Sequence, residues 1–436
     1  MKKWIMASMF FILFLSLAAC SNDSESTGNT DNGESGNSES DGEASGDAVE
    51  LDFWIFGSTG YDQLVEEYMA DNPNVKININ EGEMNDMHNN LFTSISAGSG
   101  APDIAQIEIS SIEKFFQAKD QFYNLNDYGA EDIAGNYLDW KWAQAQTDGS
   151  FQIGLPTDVG PTTMFYRIDV MEEAGLPTDR EEVAAQIDSW EAYYETAKTV
   201  KEKTGKPISD TPKLVFNAIR DQEEQQYFNE NDELIIEDTV KEAYDFTTKM
   251  IAEGLIGQND LWTPEWGSAM AEGTYATLPG APGWMVANVK GNAPDTNGLW
   301  DIAKIPEGAG NWGGSFLTIP KESEHPEEAF AFISWLTAPE QQLKSFEIAG
   351  LFPSTPDVYE NEDFLATTDE FFNGAPTAKI FAEAAQSVKT VYMGPNYSIV
   401  DTELGTALLN VAVEGADPQA EWDAALERIN SQLERQ

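Results

Sequence analysis

Between residues 49 and 110 the period of the apolar residues switches repeatedly, and no other feature narrows the fold so far. "VELDFWIFG" (49–57) has the β-branched and aromatic content of a strand and a glycine stop. "YDQLVEEYMADNP" sets Leu64, Val65, Tyr68 and Met69 at helical spacing and ends on Asn72-Pro73. "VKININ" alternates as a strand, "MHNNLFTSISAGSG" is a helix stopped by glycines, and "PDIAQIEI" is a strand again. Strands alternating with helices predict βαβ units on a parallel sheet. Helices predominate after "TTMFYRIDVMEEAGLP", clearest over 189–204, 238–253 and 326–338. "LWDIAKIP" and "GSFLTIP" restore strand character between 299 and 320, and helices over about 399–414 and 418–433 finish the chain. With no internal repeat and no long linker in this body, the pattern predicts an α/β fold of two lobes joined by crossing strands.

Ahead of that body the composition is different. Lys2 and Lys3, an apolar run over 4–17 and small residues Ala18 and Ala19 make a secretory signal. The run is shorter than the roughly 20 residues a spanning helix needs. "LAAC" resembles the lipobox of bacterial lipoproteins, which implies cleavage before Cys20 and a lipid on its thiol. Cys20 is the one cysteine in the sequence, so no internal disulfide or Cys-x-x-Cys site is possible. The 27 residues from Ser21 to Asp47 carry eight acids and no aliphatic or aromatic side chain larger than alanine. Such a segment is expected to stay a disordered leash spanning roughly 30 Å or more.

Over the whole chain 76 acids face 24 bases. Setting aside Lys2, Lys3 and the acids of the leash leaves 68 against 22, a net charge of −46 on the body. Nucleic acid is excluded as a partner, because phosphate binding needs clustered Lys and Arg, and self-repulsion favours a soluble monomer. Nucleophilic catalysis of the Ser-His or Cys-His kind needs a base beside a nucleophile. The histidines are His88 and His325, and each reads as a surface residue. There is no GxSxG, HExxH or P-loop pattern. "NENDELIIED" lacks the spacing of a calcium loop, and no metal or other cofactor is expected. Carboxylates are too numerous for a glycosidase pair to be singled out or excluded by counting.

Five segments in order resemble the sugar-binding family of bacterial extracellular solute-binding proteins that includes maltose-binding protein: "SAGSGAPDIAQI", "GLPTDVGPTTMFYRIDVMEEAGLP", "SWEAYYETAKTVKEKTGKP", "MAEGTYATLPGAPGWM" and "TIPKESEHPEEAFAFISWLTAPEQQLKSFEIAGLFPSTPDV". Arg167 stands where that family usually has Asn. The resemblance implies a two-lobe, periplasmic-binding-protein-like fold with a ligand cleft between the lobes. It implies a carbohydrate ligand, most naturally an oligosaccharide, and delivery to the transmembrane permease subunits of an ABC importer. With Cys20 lipidated, the protein would sit on the outer face of the cytoplasmic membrane. The expected parts are a signal peptide (1–19), lipidated Cys20 and leash (20–47), one lobe from 48–158 with 303–352, and the other from 159–302 with 353–436. The rival readings are the same role for a polyamine, metal complex or glycerol phosphate, and a surface glycoside hydrolase.

A sugar site wants aromatic platforms and polar groups at loop tips, which in an open α/β sheet lie at the carboxyl ends of strands. "FGSTGYD" offers Ser58, Thr59 and Tyr61; "IEISS" offers Glu108 and Ser110; "NWGGSF" offers Trp312 beside Gly313 and Gly314, where backbone can approach a ligand. The resemblance places a pocket tryptophan at Trp284, a sugar-binding acid near Glu108 and a late aromatic at Tyr397.

Overall fold

The computed structural model describes residues 48–147 and 149–435. The signal, Cys20 and the leash lie outside the described residues. Two sheets organise the body. Their strands, with a short pair between them, are β1 (Val49–Phe56), β2 (Val75–Gly82), β3 (Ile104–Glu108), β4 (Gly154–Pro156), β5 (Asp158–Val159), β6 (Thr163–Arg167), β7 (Thr277–Ala281), β8 (Trp300–Ala303), β9 (Ser315–Thr318) and β10 (Phe352–Pro353). The larger sheet has the order β2-β1-β3-β9-β4, the smaller β8-β6-β7, and β5 pairs with β10.

In β1 the alternation puts Leu51, Phe53 and Ile55 in the core with Leu64, Val65, Leu155, Leu317 and Phe332. The helices begin and end where local chemistry directs. Ser189 Oγ accepts from Ala192 N, opening the helix Trp190–Thr204, and Gly205 closes it. Asp417 caps the helix Pro418–Leu433 from the residue before its N1 proline.

The expectation of a parallel sheet holds for β1, β2 and β3 and fails beyond them. β9 runs antiparallel to both β3 and β4, and the smaller sheet is antiparallel throughout. The reason is the route of the chain. β9 starts opposite the end of β3, with Ser315 paired to Glu108, because it arrives from the smaller sheet at the edge where β3 stops. Three passages between the sheets are laced together there. β5 pairs with β10, Pro161 is bridged to Asn311, and Trp312 N donates to Gly160 O over 2.8 Å. A further apolar cluster joins Ile107, Ile112, Phe115 and Phe316 of the larger sheet's side to Phe216, Tyr227, Val400 and Trp422 of the other.

Candidate functional site

The 310–314 loop is the meeting point of the residues that matter. Gly160 and Gly310 press on it from within. A Cβ on Gly160 would lie 1.8 Å from Trp312 O, and one on Gly310 would lie 2.3 Å from Asp221 O. Gly313 and Gly314 hold φ of +101° and +95°, the left-handed half of the map that glycine visits freely. A Cβ on Gly313 would stand 3.1 Å from Trp284 Nε1. On Gly314 it would meet Asp158 O at 2.5 Å and Lys141 Nζ at 2.8 Å. These glycines admit close approach by the protein's own Trp284 and Asp158.

The loop carries Trp312 into a group of indoles. Trp284 and Trp312 meet edge to face with centroids 5.0 Å apart, and Trp284 Nε1 donates to Trp312 O over 3.1 Å. Trp262, which sequence reasoning missed, lies 5.9 Å from Trp284 and 6.2 Å from Trp312. Buried Trp266 backs Trp262 at 5.1 Å. Trp262 is 55% exposed and sits at φ +67°. A residue with a Cβ in that region bears roughly 1–2 kcal/mol of strain. The turn beneath it holds the strain. Asp260 Oδ1 accepts from Leu261 N, Asp260 O accepts from Thr263 Oγ1, and Lys213 pairs with Asp260 at 2.8 Å. The available signal was position, an aromatic in a loop directly ahead of a Thr-Pro helix start. Together Trp262, Trp284 and Trp312 form an open apolar wall, and a cavity of about 290 Å³ lies between Thr162, Ile305, Ala309, Ile380 and Ala384.

Beneath Gly314 lies a group of ionisable side chains. Lys141 is fully buried, its Nζ is 3.9 Å from the Phe316 ring centroid, and it has no hydrogen-bond partner among the described residues. Burial lowers its ammonium pKa to about 8, against the opposing pull of the Asp158 and Glu108 charges. Asp158 Oδ1 accepts from Thr157 Oγ1 (2.6 Å) and Ser315 N (3.0 Å), and burial raises its carboxyl. Glu108 ends β3, and its carboxylate accepts from both the hydroxyl and the backbone N–H of Ser110. Burial raises the Glu108 carboxyl too, with those donors and Lys141 opposing.

His88 corrects the expectation of a surface residue. It is buried, and its Nε2 accepts from Glu108 N over 3.1 Å. Burial, then the nearby Lys114 charge, lowers its pKa to about 4. The reason is helical phase, since His88 shares the inward face of the helix Met84–Ala97 with Leu91 and Ile95.

A second charged group adjoins the loop through Asp221. The Arg220 guanidinium donates to Asp221 (2.9 and 2.7 Å), to Tyr227 Oη (2.8 Å) and to Asp401. Burial raises the Asp221 carboxyl to about 6, with Arg220 opposing. Tyr397 is buried in this group, 4.8 Å from Tyr227 by centroids and 5.5 Å from the Arg220 guanidinium carbon.

The sequence-derived residues therefore fall in three places. Trp284, Trp312, Gly313 and Gly314 come together at the loop, with Glu108 and Ser110 at the adjoining end of β3. Tyr397 joins the Arg220 group. Ser58 is exposed at the end of β1, whereas Thr59 and Tyr61 turn inward: Thr59 O accepts from Ser345 Oγ, and Tyr61 packs against Phe53 at 5.9 Å.

Comparison with known proteins adds to this geometry. The profile of the family described as "Bacterial extracellular solute-binding protein" matches residues 63–373. An arabinooligosaccharide-binding protein of Halalkalibacterium halodurans is 26% identical over 385 residues, 83% of this chain and 84% of that one. A lactose-binding protein of Rhizobium radiobacter is 28% identical over 369 residues, 79% of this chain and 82% of that one. A crystal structure described as an extracellular solute-binding protein family 1 superposes with a TM-score of 0.83 at 36% identity, covering 88% of this chain and 99% of that one.

Proposed function

The chain belongs to the bacterial extracellular solute-binding proteins, and from that premise we propose that it captures a carbohydrate, an oligosaccharide, in the cleft between its two lobes and hands it uncleaved to the permease subunits of an ABC importer. The observation that carries the reading is the wall of Trp262, Trp284 and Trp312 beside the passages that join the two sheets. Sugar rings present apolar faces that indoles cover and hydroxyls that polar rims bind. The partly exposed carboxylate of Asp401 and the partly buried Glu108 and Ser110 are such rim groups. The names of the arabinooligosaccharide- and lactose-binding relatives support the same class of cargo. One lobe is assigned to 48–158 with 303–352 and the other to 159–302 with 353–436. Lipidation of Cys20 would tether the body, as a monomer, to the outer face of the membrane.

A thermal-shift screen tests the reading with arabino-, galacto- and malto-oligosaccharides, spermidine and glycerol 3-phosphate. A ligand at 100 times its Kd adds about 2.7 kcal/mol to stability, so the melting temperature should rise with one sugar series. A rise with spermidine or glycerol 3-phosphate alone overturns the sugar assignment. Chromatography of the bound sugar after incubation should return it intact; shortened products would make the protein a hydrolase.

A further inference from the structure

We infer that Trp262 is the length gauge of the sugar site, an outer platform reached by ligands of two or more rings and passed over by a single ring. This rests on the carbohydrate reading of the indole wall. The four indoles of the group are graded in exposure. Trp266 is buried, Trp284 and Trp312 are partly buried, and Trp262 is 55% exposed. The inner two are tied to one another, because Trp284 Nε1 donates to Trp312 O. A ring lying on this pair occupies the part of the wall nearest the laced passages. Trp262 extends that surface outward: its plane is tilted 33° to Trp284, and their centroids are 5.9 Å apart.

The backbone argues that this outward pose is selected. An aromatic residue at φ +67° is disfavoured, and glycine fits there without strain. The turn is nevertheless held by Asp260, Lys213 and Thr263, while the ring that it presents stays largely in water. A tryptophan kept strained and wet adds little to the core. It gains apolar contact when a second surface lies over it, and a sugar ring lying on the inner pair brings its neighbour in the chain to that position.

The test uses Trp262→Gly in the full chain, because glycine removes the ring and accepts the turn. Isothermal titration would compare wild type, Trp262→Gly and Trp284→Ala against arabinose and arabino-oligosaccharides of two to four units, and against galactose, lactose and galacto-oligosaccharides. Wild type should bind the longer members more tightly. Trp262→Gly should keep the single-unit affinity within about twofold and lose tenfold or more for two to four units, about 1.4 kcal/mol, so the dependence on length flattens. Trp284→Ala should weaken every length alike. An equal loss at all lengths in Trp262→Gly, or no loss at any, overturns the gauge while leaving the sugar site standing. If neither series binds the wild type, the carbohydrate reading fails and the gauge fails with it. A melting temperature for Trp262→Gly equal to or above wild type is expected; a marked fall would make Trp262 a core residue and also overturn the proposal.

Discussion

Gly313 meets an indole that leads out to water; Gly314, one residue on, meets the buried Lys141 ammonium and the backbone carbonyl of buried Asp158. On the proposed function, the aromatic side of the loop is built from side chains that would gain contact when a sugar arrives. The charged side is largely built already: Asp158 holds the loop through Ser315 N, and Glu108, whose carboxylate also edges the proposed rim, is bonded to Ser110 through that carboxylate and to His88 through its backbone N–H. The difference teaches that neighbouring residues of one loop answer to separate demands, recognition on one side and the shape of the crossing on the other. Substitutions on the two sides should therefore separate into losses of affinity and losses of stability.

Asp158→Ala should break the charged side most. It leaves Ser315 N–H buried without an acceptor, at about 1–3 kcal/mol. It also takes a counter-charge from Lys141. Burial has already lowered that ammonium to about 8, so near neutral pH it can escape by releasing its proton, which limits its share to about 1 kcal/mol. Urea unfolding should show a loss of roughly 3–4 kcal/mol. A loss confined to sugar affinity would erase the contrast between the sides.

Acid should come next. His88 has a folded pKa near 4, below the ordinary 6.5, so the unfolded chain takes up the proton first as pH falls. Its contribution is present above pH 6.5 and is lost towards pH 4, about 3 kcal/mol in all. Raised carboxyls such as Asp221 titrate with the opposite sign, so the comparison must be with His88→Gln, whose amide oxygen can still accept from Glu108 N. Unfolding free energies of wild type and variant should diverge across that window, wild type losing more. Parallel curves would mean the imidazole is charged in the fold.

On the aromatic side, Trp284→Ala should weaken sugar binding tenfold or more, about 1.4 kcal/mol, with the melting temperature held within a few degrees. Collapse of the melting temperature would place Trp284 with the core.

Salt should have the smallest effect. Net repulsion on the acidic body is screened within about 10 Å at 0.1 M, so molar NaCl should raise the melting temperature modestly. It should leave the Asp158→Ala deficit unchanged, since sealed charges are poorly screened. A deficit that shrinks with salt would show the charged side open to water.

The alternation of strand and helix in 49–110 was enough to read the first three strands and the helices between them. The antiparallel insertion of β9 was not, because strand direction depends on which lobe the chain returns from. Trp284 and Trp312 were legible since glycines flank them, Trp284 on the way out of one strand and Trp312 on the way into another. Trp262 escaped because nothing in "NDLWTPEW" announces a left-handed tryptophan; the turn chemistry of Asp260 and Thr263 makes it. Tyr61 and Tyr397 each sit at a loop tip in the sequence. Yet each opens a helix, and the first turn swings the ring against Phe53 in one case and Tyr227 in the other. Lys141 gave no warning, since a lysine among "DWKWA" reads as solvent-facing until packing encloses it.

Gly160 and Gly310 have no room for even a methyl group, because the carbonyl oxygens of Trp312 and Asp221 already fill the space. For anyone retuning this receptor, that divides the map of allowed edits. A randomised library across 310–314 should return mostly the parent sequence, and a reporter peptide spliced there should abolish expression of folded protein. The turn at 260–263 makes no backbone hydrogen bond to the crossings among the described residues and is held by its own hydrogen bonds, the Lys213 ion pair and side-chain packing, so it can accept new residues without disturbing the crossings. Descendants of this chain would acquire new cargo by remodelling that turn while keeping the loop intact.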